Sequence, residues 1–267
     1  ALSLVVRRLP GRFPALALAA ISLLATGRYA WWRVTTTLEF ETLAQAVLGY
    51  GLLAAEAYTW LIVVLGFIQT AWPLKRAPAP LQGAPQSWPT VDVFIPTYNE
   101  PLSVVRPTVL AAMALDWPAD RFKVYLLDDG RREEFRAFAA EVGVQYIIRP
   151  DNHHAKAGNL NHALQKTDGE LVAIFDCDHL PTRSFLKTAV GWFQRDPKCA
   201  MLQTPHHFFS PDPFERNLGT FRRVPNEGAL FYGLIQDGND FWNATFFCGS
   251  CAVIRREPLM EVGGIAV

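Results

Sequence analysis

Two long apolar runs near the start of the chain limit its architecture more than any other feature. Residues 13–32 form the first, with Arg28 as their one charged side chain, and residues 43–72 form the second, with Glu56 as theirs. A membrane-spanning helix needs about 20 mostly apolar residues. Spans are therefore expected at 13–32 and about 48–72. Trp31, Trp32, Trp60 and Trp72 supply aromatic rings of the kind that sit at a membrane–water boundary. Two spans in succession, with no small-residue cleavage site, do not read as a signal peptide. Two buried core helices are the alternative, and the second run is long for that.

The flanking charges orient the pair. Arg7, Arg8 and Arg12 precede the first run, Lys75 and Arg76 follow the second, and the hairpin between them offsets Arg33 with Glu39 and Glu41. The positive-inside rule places both outer flanks, and the domain that follows, in the cytoplasm. A charged residue within a span needs a partner or a route to the interface. Arg28 and Glu56 are expected to pair, with snorkelling of Arg28 as the alternative. Residues 77–89, rich in Pro, Gly and Ala, read as a linker.

From residue 90 the pattern changes to short apolar runs alternating with amphipathic segments. Strands are expected at 91–95, 122–127, 144–148, 171–175 and 199–203. Helices are expected at 102–115, 131–142, 157–165 and 183–195. This alternation implies an α/β domain over 90–267, with a mainly parallel sheet covered on both faces. Ligands bind such sheets at the carboxyl ends of the strands. Tyr98-Asn99-Glu100, Asp128-Asp129-Gly130 and Asp176-Cys177-Asp178 each directly follow a predicted strand.

Asp176 and Asp178 lie two positions apart, so in extended chain their carboxylates point the same way. Such a pair suits Mg²⁺ or Mn²⁺, which keep further positions for water and phosphate. Alone, an Asp-x-Asp pair is more often a solvated loop, and Asp128-Asp129-Gly130 alone is good turn chemistry. Lys156 offers a point charge to a phosphate, or is a solvated lysine before a helix. Gly158 and the helix start add backbone N–H groups suited to an anion. His179 either donates to a phosphate oxygen or is a plain loop residue.

Lys plus Arg and Asp plus Glu balance at 25 each, without the basic excess of a nucleic-acid-binding face. Cys248-Gly249-Ser250-Cys251 matches a C-x-x-C pattern, but no second pair accompanies it to build a zinc site. His206 and His207 fit no standard zinc spacing with it. The pair sits in an apolar run, 246–254, read as strand-like, so neither metal nor redox use is expected of it. No G-x-x-x-x-G-K-[ST] loop is present for a phosphotransferase reading.

Several motifs occur together in one order: Pro96-Thr97-Tyr98-Asn99-Glu100, Asp128-Asp129-Gly130, His154-Ala155-Lys156-Ala157-Gly158-Asn159, Asp176-x-Asp178-His179, Gln203-Thr204-Pro205-His206 and Phe246-Phe247-Cys248-Gly249-Ser250. In this the chain resembles the bacterial cellulose synthase catalytic subunits over essentially its whole length. These are processive, inverting glycosyltransferases with a GT-A fold.

The resemblance implies that Tyr98, Glu100, Asp128, Asp129, Lys156 and His179 bind the UDP-sugar donor, and that Asp176 and Asp178 hold Mg²⁺ or Mn²⁺ on its diphosphate. It implies that Phe247, Cys248, Gly249 and Ser250 border the acceptor and channel mouth, with His206 and Trp242 on the acceptor side and Asn226-Glu227 along its path. The expected activity is transfer of glucose from UDP-glucose to the non-reducing end of a growing β-1,4-glucan, coupled to export. The expected place is the bacterial inner membrane, with a periplasmic accessory subunit as partner.

A synthase of mannan or mixed β-glucan, or a non-catalytic nucleotide-sugar-binding membrane module, are the alternatives. The family's Thr-Glu-Asp base, its Gln-x-x-Arg-Trp motif and the domain that senses cyclic-di-GMP are not among these 267 residues. Residue 1 is Ala rather than Met, and the chain stops just after Gly263-Gly264. A piece of a longer protein, inactive alone, is therefore expected. Cys251 departs from the family pattern, which carries a small residue such as Ala or Asn there.

Overall fold

The computed structural model describes residues 11–267; Arg7 and Arg8, used above to orient the spans, lie outside them. The chain divides into two compact units.

The first unit contains helices α1, Phe13–Thr36, and α2, Leu43–Thr70. Both are long and apolar enough to cross a membrane, and neither apolar stretch is buried within the protein. α2 starts earlier than the hydropathy implied because Thr42 caps it. The Thr42 hydroxyl accepts the Gln45 N–H at 3.2 Å, and the Gln45 side chain accepts the Thr42 N–H at 3.1 Å.

Glu56 does not pair with Arg28. Arg33 Nε donates to its Oε2 at 2.7 Å, and the Tyr29 hydroxyl donates to its Oε1 at 2.9 Å. Tyr29 and Arg33 are four residues apart and share a helix face, whereas Arg28 lies about 100° round from Tyr29 and is exposed. Arg33 is 8% exposed.

Asp212–Thr245, expected within the α/β domain, belongs to this first unit. It forms short helices at Pro213–Leu218, Glu227–Leu230 and Gln236–Phe241, with a π-helical turn over Phe231–Ile235. Gln69 Nε2 donates to Asn239 Oδ1 at 2.6 Å, and the Leu74 N–H donates to the Asp237 carbonyl at 2.8 Å. The backbones meet at Gly238, where a Cβ would stand 2.4 Å from the Gln69 carbonyl oxygen.

The second unit, Arg76–Pro211 with Phe246–Val267, holds the sheet. In chain order it contains β1 (Val91–Thr97), α3 (Leu102–Met113), β2 (Phe122–Asp128), α4 (Glu133–Val142), β3 (Gln145–Ile147), α5 (Ala155–Leu164) and β4 (Leu171–Ile174). Then follow α6 (Phe185–Ala189), α7 (Gly191–Arg195), β5 (Met201–Gln203), β6 (Ala252–Arg255) and α8 (Arg256–Glu261). The strand order is β3-β2-β1-β4-β6-β5. The first four strands are mutually parallel as expected, but β6 runs antiparallel to both β4 and β5.

Alternation along β1 sends Val91, Val93 and Ile95 into one apolar layer and Phe94 into the other. The sheet is thus covered on both faces.

Three local readings change. The 183–195 helix is two, α6 and α7, meeting at Val190. The 77–89 stretch packs as a strap on this unit. A Cβ at Gly191 would come 2.0 Å from the Ala79 carbonyl oxygen, and Trp88 lies against Trp117 with ring centroids 4.8 Å apart. The 246–254 strand shortens to β6, because Gly249 at φ +90° and Cys251 at φ +53° break extended geometry.

Candidate active site

Strand order places β2 on one side of β1 and β4 on the other, so the chain reverses direction of growth between β1 and β4. A crevice opens beyond the carboxyl ends of strands at such a switch point. Pro96 helps to define it. Phe94 presents its carbonyl to the Phe175 N–H, so Phe94 and Pro96 both face β4. Pairing of β1 with β4 ends at Phe94↔Ile174. Proline therefore stands where no ladder partner is required.

Beyond β1, Glu100 folds back. Its carboxylate accepts the Thr97 hydroxyl at 2.7 Å and the Tyr98 N–H at 2.8 Å. Burial pushes the Glu100 carboxyl up, but these bonds together with those from its own amide and Cys177 outweigh it and leave the group below the usual glutamate range. Tyr98 is half exposed at the crevice mouth.

Beyond β2, the two aspartates are closed inwards. Asp128 is fully buried. It accepts the Gly130 N–H at 2.9 Å, the Arg132 N–H at 2.7 Å, Arg132 Nη2 at 2.8 Å and the Tyr146 hydroxyl at 2.8 Å. Asp129 is gripped in parallel by Arg149, with Nε to Oδ1 at 2.7 Å and Nη2 to Oδ2 at 2.6 Å. Both carboxylates thus shape the loops around the crevice. Arg132, Arg149 and Tyr146 were missed by sequence reasoning, and nothing in their spacing marks them.

Arg149 also reaches the Lys156 turn. It donates from Nη1 to the His153 carbonyl at 2.6 Å and from Nη2 to the Ala155 carbonyl at 2.8 Å. These bonds hold His154 at φ +60° and Ala155 at φ +44°, two successive left-handed residues that favour glycine or asparagine. α5 then begins with Lys156 aimed at the crevice.

There Lys156 Nζ forms an ion pair with Asp176 and donates to the Gly249 carbonyl at 2.6 Å. Gly249 belongs to the loop before β6, so one lysine ties the ends of α5, β4 and that loop together. The loop is fixed from its other side by Gln203. That side chain accepts the Cys248 N–H at 2.9 Å and donates to the Ser250 carbonyl at 2.8 Å.

Ser250 is fully buried, and its hydroxyl accepts the Asp176 N–H at 2.8 Å. Phe247 packs on the second apolar layer. Asp176, Asp178 and His179 each offer an oxygen or nitrogen, and these atoms lie within 4.8 Å of one another. Asp178 is the most open of the three, with its side chain 65% exposed.

His179 and His206 pack edge to face with centroids 4.7 Å apart. Burial pushes His206 below the usual imidazole range. Burial likewise pushes the Cys177 thiol up to about 12, between the two aspartates. Trp242 lies in the first unit, where its Nε1 donates to the Ile68 carbonyl at 3.3 Å. Asn226 caps the Glu227 helix of that same unit, its side chain accepting the Ala229 N–H at 3.1 Å.

The sequence model of glycosyl transferase family 2 matches residues 92–263, which include this whole crevice. The chain belongs to that family. Among curated relatives, the UDP-forming cellulose synthase catalytic subunit of Pseudomonas fluorescens is 65% identical, over 99% of this chain and 36% of its own length. That of Xanthomonas axonopodis pv. citri is 62% identical over 100% of this chain and 37% of its own. Cellulose synthase 1 of Komagataeibacter xylinus is 56% identical over 98% of this chain and 17% of its own. The chain therefore spans about a third, or less, of the length of these relatives. Among solved structures, mannosyltransferase PcManGT from Pyrobaculum calidifontis, in complex with GDP-Man and Mn²⁺, superposes with a TM-score of 0.51 at 24% identity. That match covers 79% of this chain and 56% of the other. It shows that the fold is GT-A.

Proposed function

We propose that this chain carries the donor site of a UDP-forming cellulose synthase of the bacterial inner membrane. It would move glucose from UDP-glucose to the non-reducing end of a β-1,4-glucan. The observation that carries the reading is the junction of Lys156, Asp176 and the Gly249 loop at the β1/β4 switch point, in a chain 65% identical to a synthase of that name.

The donor set fits a hard divalent cation. Asp176 and Asp178 supply carboxylate oxygens beside His179, and Asp178 is open to an incoming ligand. When bound, Mg²⁺ or Mn²⁺ neutralises the charge that develops on the departing diphosphate.

The chain's own residues do the remaining work of the site. Lys156 already balances Asp176 and stands ready to share its charge with a phosphate oxygen. Tyr98 and Glu100 form the rim for the uridine. Asp128 and Asp129, through Arg132 and Arg149, keep the two loops that carry Glu100 and Lys156 in register. The Phe247–Ser250 loop, pinned by Gln203 and facing Lys156 through Gly249, borders the acceptor. Single in-line displacement at the anomeric carbon turns an α-linked donor into a β-linked product. Positioning and charge stabilisation then supply most of the rate.

UDP titration by calorimetry in detergent, with Mn²⁺ and then with EDTA, tests the reading. Binding that requires Mn²⁺ and is lost in Asp178→Asn is expected. A folded sample that binds no UDP with Mn²⁺, or binds it equally in EDTA, overturns it.

A further inference from the structure

Strands β4 and β6 pair as far as Ile174↔Ala252, and continuing that antiparallel register by two residues sets Asp176 opposite Ser250. With Gly249 at φ +90° and Cys251 at φ +53°, the chain leaves extended geometry there. The Ser250 hydroxyl makes the next cross-strand bond in place of backbone, accepting the Asp176 N–H at 2.8 Å. The same oxygen lies 2.8 Å from His179 Nδ1. We propose that Ser250 is a positioning residue, fixing His179 in the tautomer protonated at Nε2 as a preset donor to a diphosphate oxygen. The use of that donor rests on the donor site proposed above.

Counting protons decides the tautomer. A hydroxyl has one proton and two lone pairs. The Asp176 N–H occupies one lone pair of Ser250, and the hydroxyl proton needs an acceptor of its own. His179 Nδ1 stands at 2.8 Å, whereas the other neighbour, Cys251 Sγ, stands at 3.7 Å. The nitrogen is the better placed of the two by far. Ser250 therefore donates to Nδ1, and the proton of the neutral ring sits on Nε2.

The charges nearby agree. Asp178 Oδ1 lies 3.9 Å from Nε2 and attracts a proton there. Asp176 Oδ2 lies 4.0 Å from Nδ1, but Lys156 balances that carboxylate. Cys251 Sγ, 3.5 Å from Nδ1, is farther from it than the serine oxygen is. The opposite tautomer would leave the hydroxyl proton to a distant sulfur and turn the Nε2 lone pair on a carboxylate.

Ser250 is suited to hold the ring. It is fully buried, and its carbonyl is itself fixed by Gln203 Nε2 at 2.8 Å. His179 is only partly buried. At 3.9 Å its Nε2 proton is not hydrogen-bonded to Asp178, and among the described residues no other acceptor stands within reach. The N–H is thus uncommitted beside the carboxylates that suit the metal. A fixed N–H of this kind binds an oxygen more strongly as negative charge builds on it. Because Ser250 belongs to the Phe247–Ser250 loop, one hydroxyl also ties that loop to the segment carrying Asp176 and His179.

Selective 15N labelling of the histidines tests this without turnover. A long-range 15N–1H correlation in detergent, in alkaline buffer where imidazole is neutral, separates the two tautomers. The His179 signals are those missing from His179→Gln. A single Nε2–H tautomer is expected in the wild type, with Nδ1 displaced by the hydrogen bond it accepts. An Nδ1–H pattern overturns the proposal. In Ser250→Ala, Nδ1 should move to the position of an unbonded ring nitrogen, and hydrogen exchange at the Asp176 amide should rise about tenfold or more. An unmoved Nδ1 overturns the proposal as well. Should Ser250→Ala not fold, as circular dichroism would show, the wild-type pattern decides. Adding UDP with Mg²⁺, used because Mn²⁺ would broaden the signals, should shift Nε2 and leave its proton in place. Loss of that proton would show ligation to the metal and overturn the donor role. By calorimetry, His179→Gln, whose amide N–H can stand in for Nε2–H, should bind UDP about tenfold more tightly than His179→Ala. Equal affinities overturn the donor role. A wild type with the Nε2–H pattern that binds no UDP overturns the donor-site reading and leaves the Ser250 constraint standing.

Discussion

Replacing Arg149 by Met removes a charge from one of the least accessible ion pairs in the chain and leaves most of the side-chain volume. The Arg149 and Asp129 side chains are 5% and 6% exposed, and their two bonds, at 2.7 and 2.6 Å, satisfy both carboxylate oxygens. Asp129 gives the guanidinium its preference for the charged form, against burial. Breaking a buried pair from one side costs about 3–5 kcal/mol, because the remaining charge is left uncompensated. The His153 and Ala155 carbonyls lose their donors as well, and the left-handed pair His154-Ala155 loses its clamp. The loosening should therefore be local, centred on the Lys156 turn. Hydrogen exchange of peptides from 143–165 reads it directly. At about 1.4 kcal/mol per factor of ten, protection should fall roughly a hundredfold to a few thousandfold. Asp129→Asn/Arg149→Met should recover part of that loss, since the stranded charge is gone. Unchanged exchange in Arg149→Met, or a double variant as loose as the single, refutes the argument.

Three further outcomes follow from other parts of the molecule. Arg33→Leu should lower the yield and melting temperature of detergent-extracted protein, Arg28→Leu should not, and Arg33→Glu with Glu56→Arg should restore what either swap alone loses; equal effects at Arg28 and Arg33 would refute the pairing. Gly191→Ala should destabilise by about 1–3 kcal/mol, seen as a lower melting temperature, because its new methyl meets Ala79 backbone rather than a flexible side chain. Because the folded-state carboxyl of Glu100 is held below its unfolded value, its stabilisation is present above the unfolded value and lost as pH falls through the folded one. Exchange at the Tyr98 amide, corrected for intrinsic rate, should accelerate in that acidic window, and Glu100→Gln should abolish the pH dependence.

Periodicity and composition were sufficient for what depends on local sequence. The two long apolar helices, the β/α alternation from residue 90 and the polar groups at the ends of β1, β2 and β4 all follow from patterns that repeat every two or three to four residues. Those patterns report which face of an element is apolar. They do not report which distant element covers it.

Tertiary packing decided the rest. The antiparallel β6 and the reassignment of Asp212–Thr245 to the unit of the two long apolar helices depend on pairings between residues far apart in the chain. Arg33 displaced Arg28 as the partner of Glu56 because helix rotation, not sequence distance, sets which side chain faces across. Asp128 and Asp129 stood out in the sequence, but the arginines that close over them did not, since an arginine's long side chain carries no sign of where it will be buried. Cys251 matched only an isolated C-x-x-C pattern. Its nearness to His179 and His206 exists because the loop before β6 turns through two left-handed residues and returns to the edge of β4.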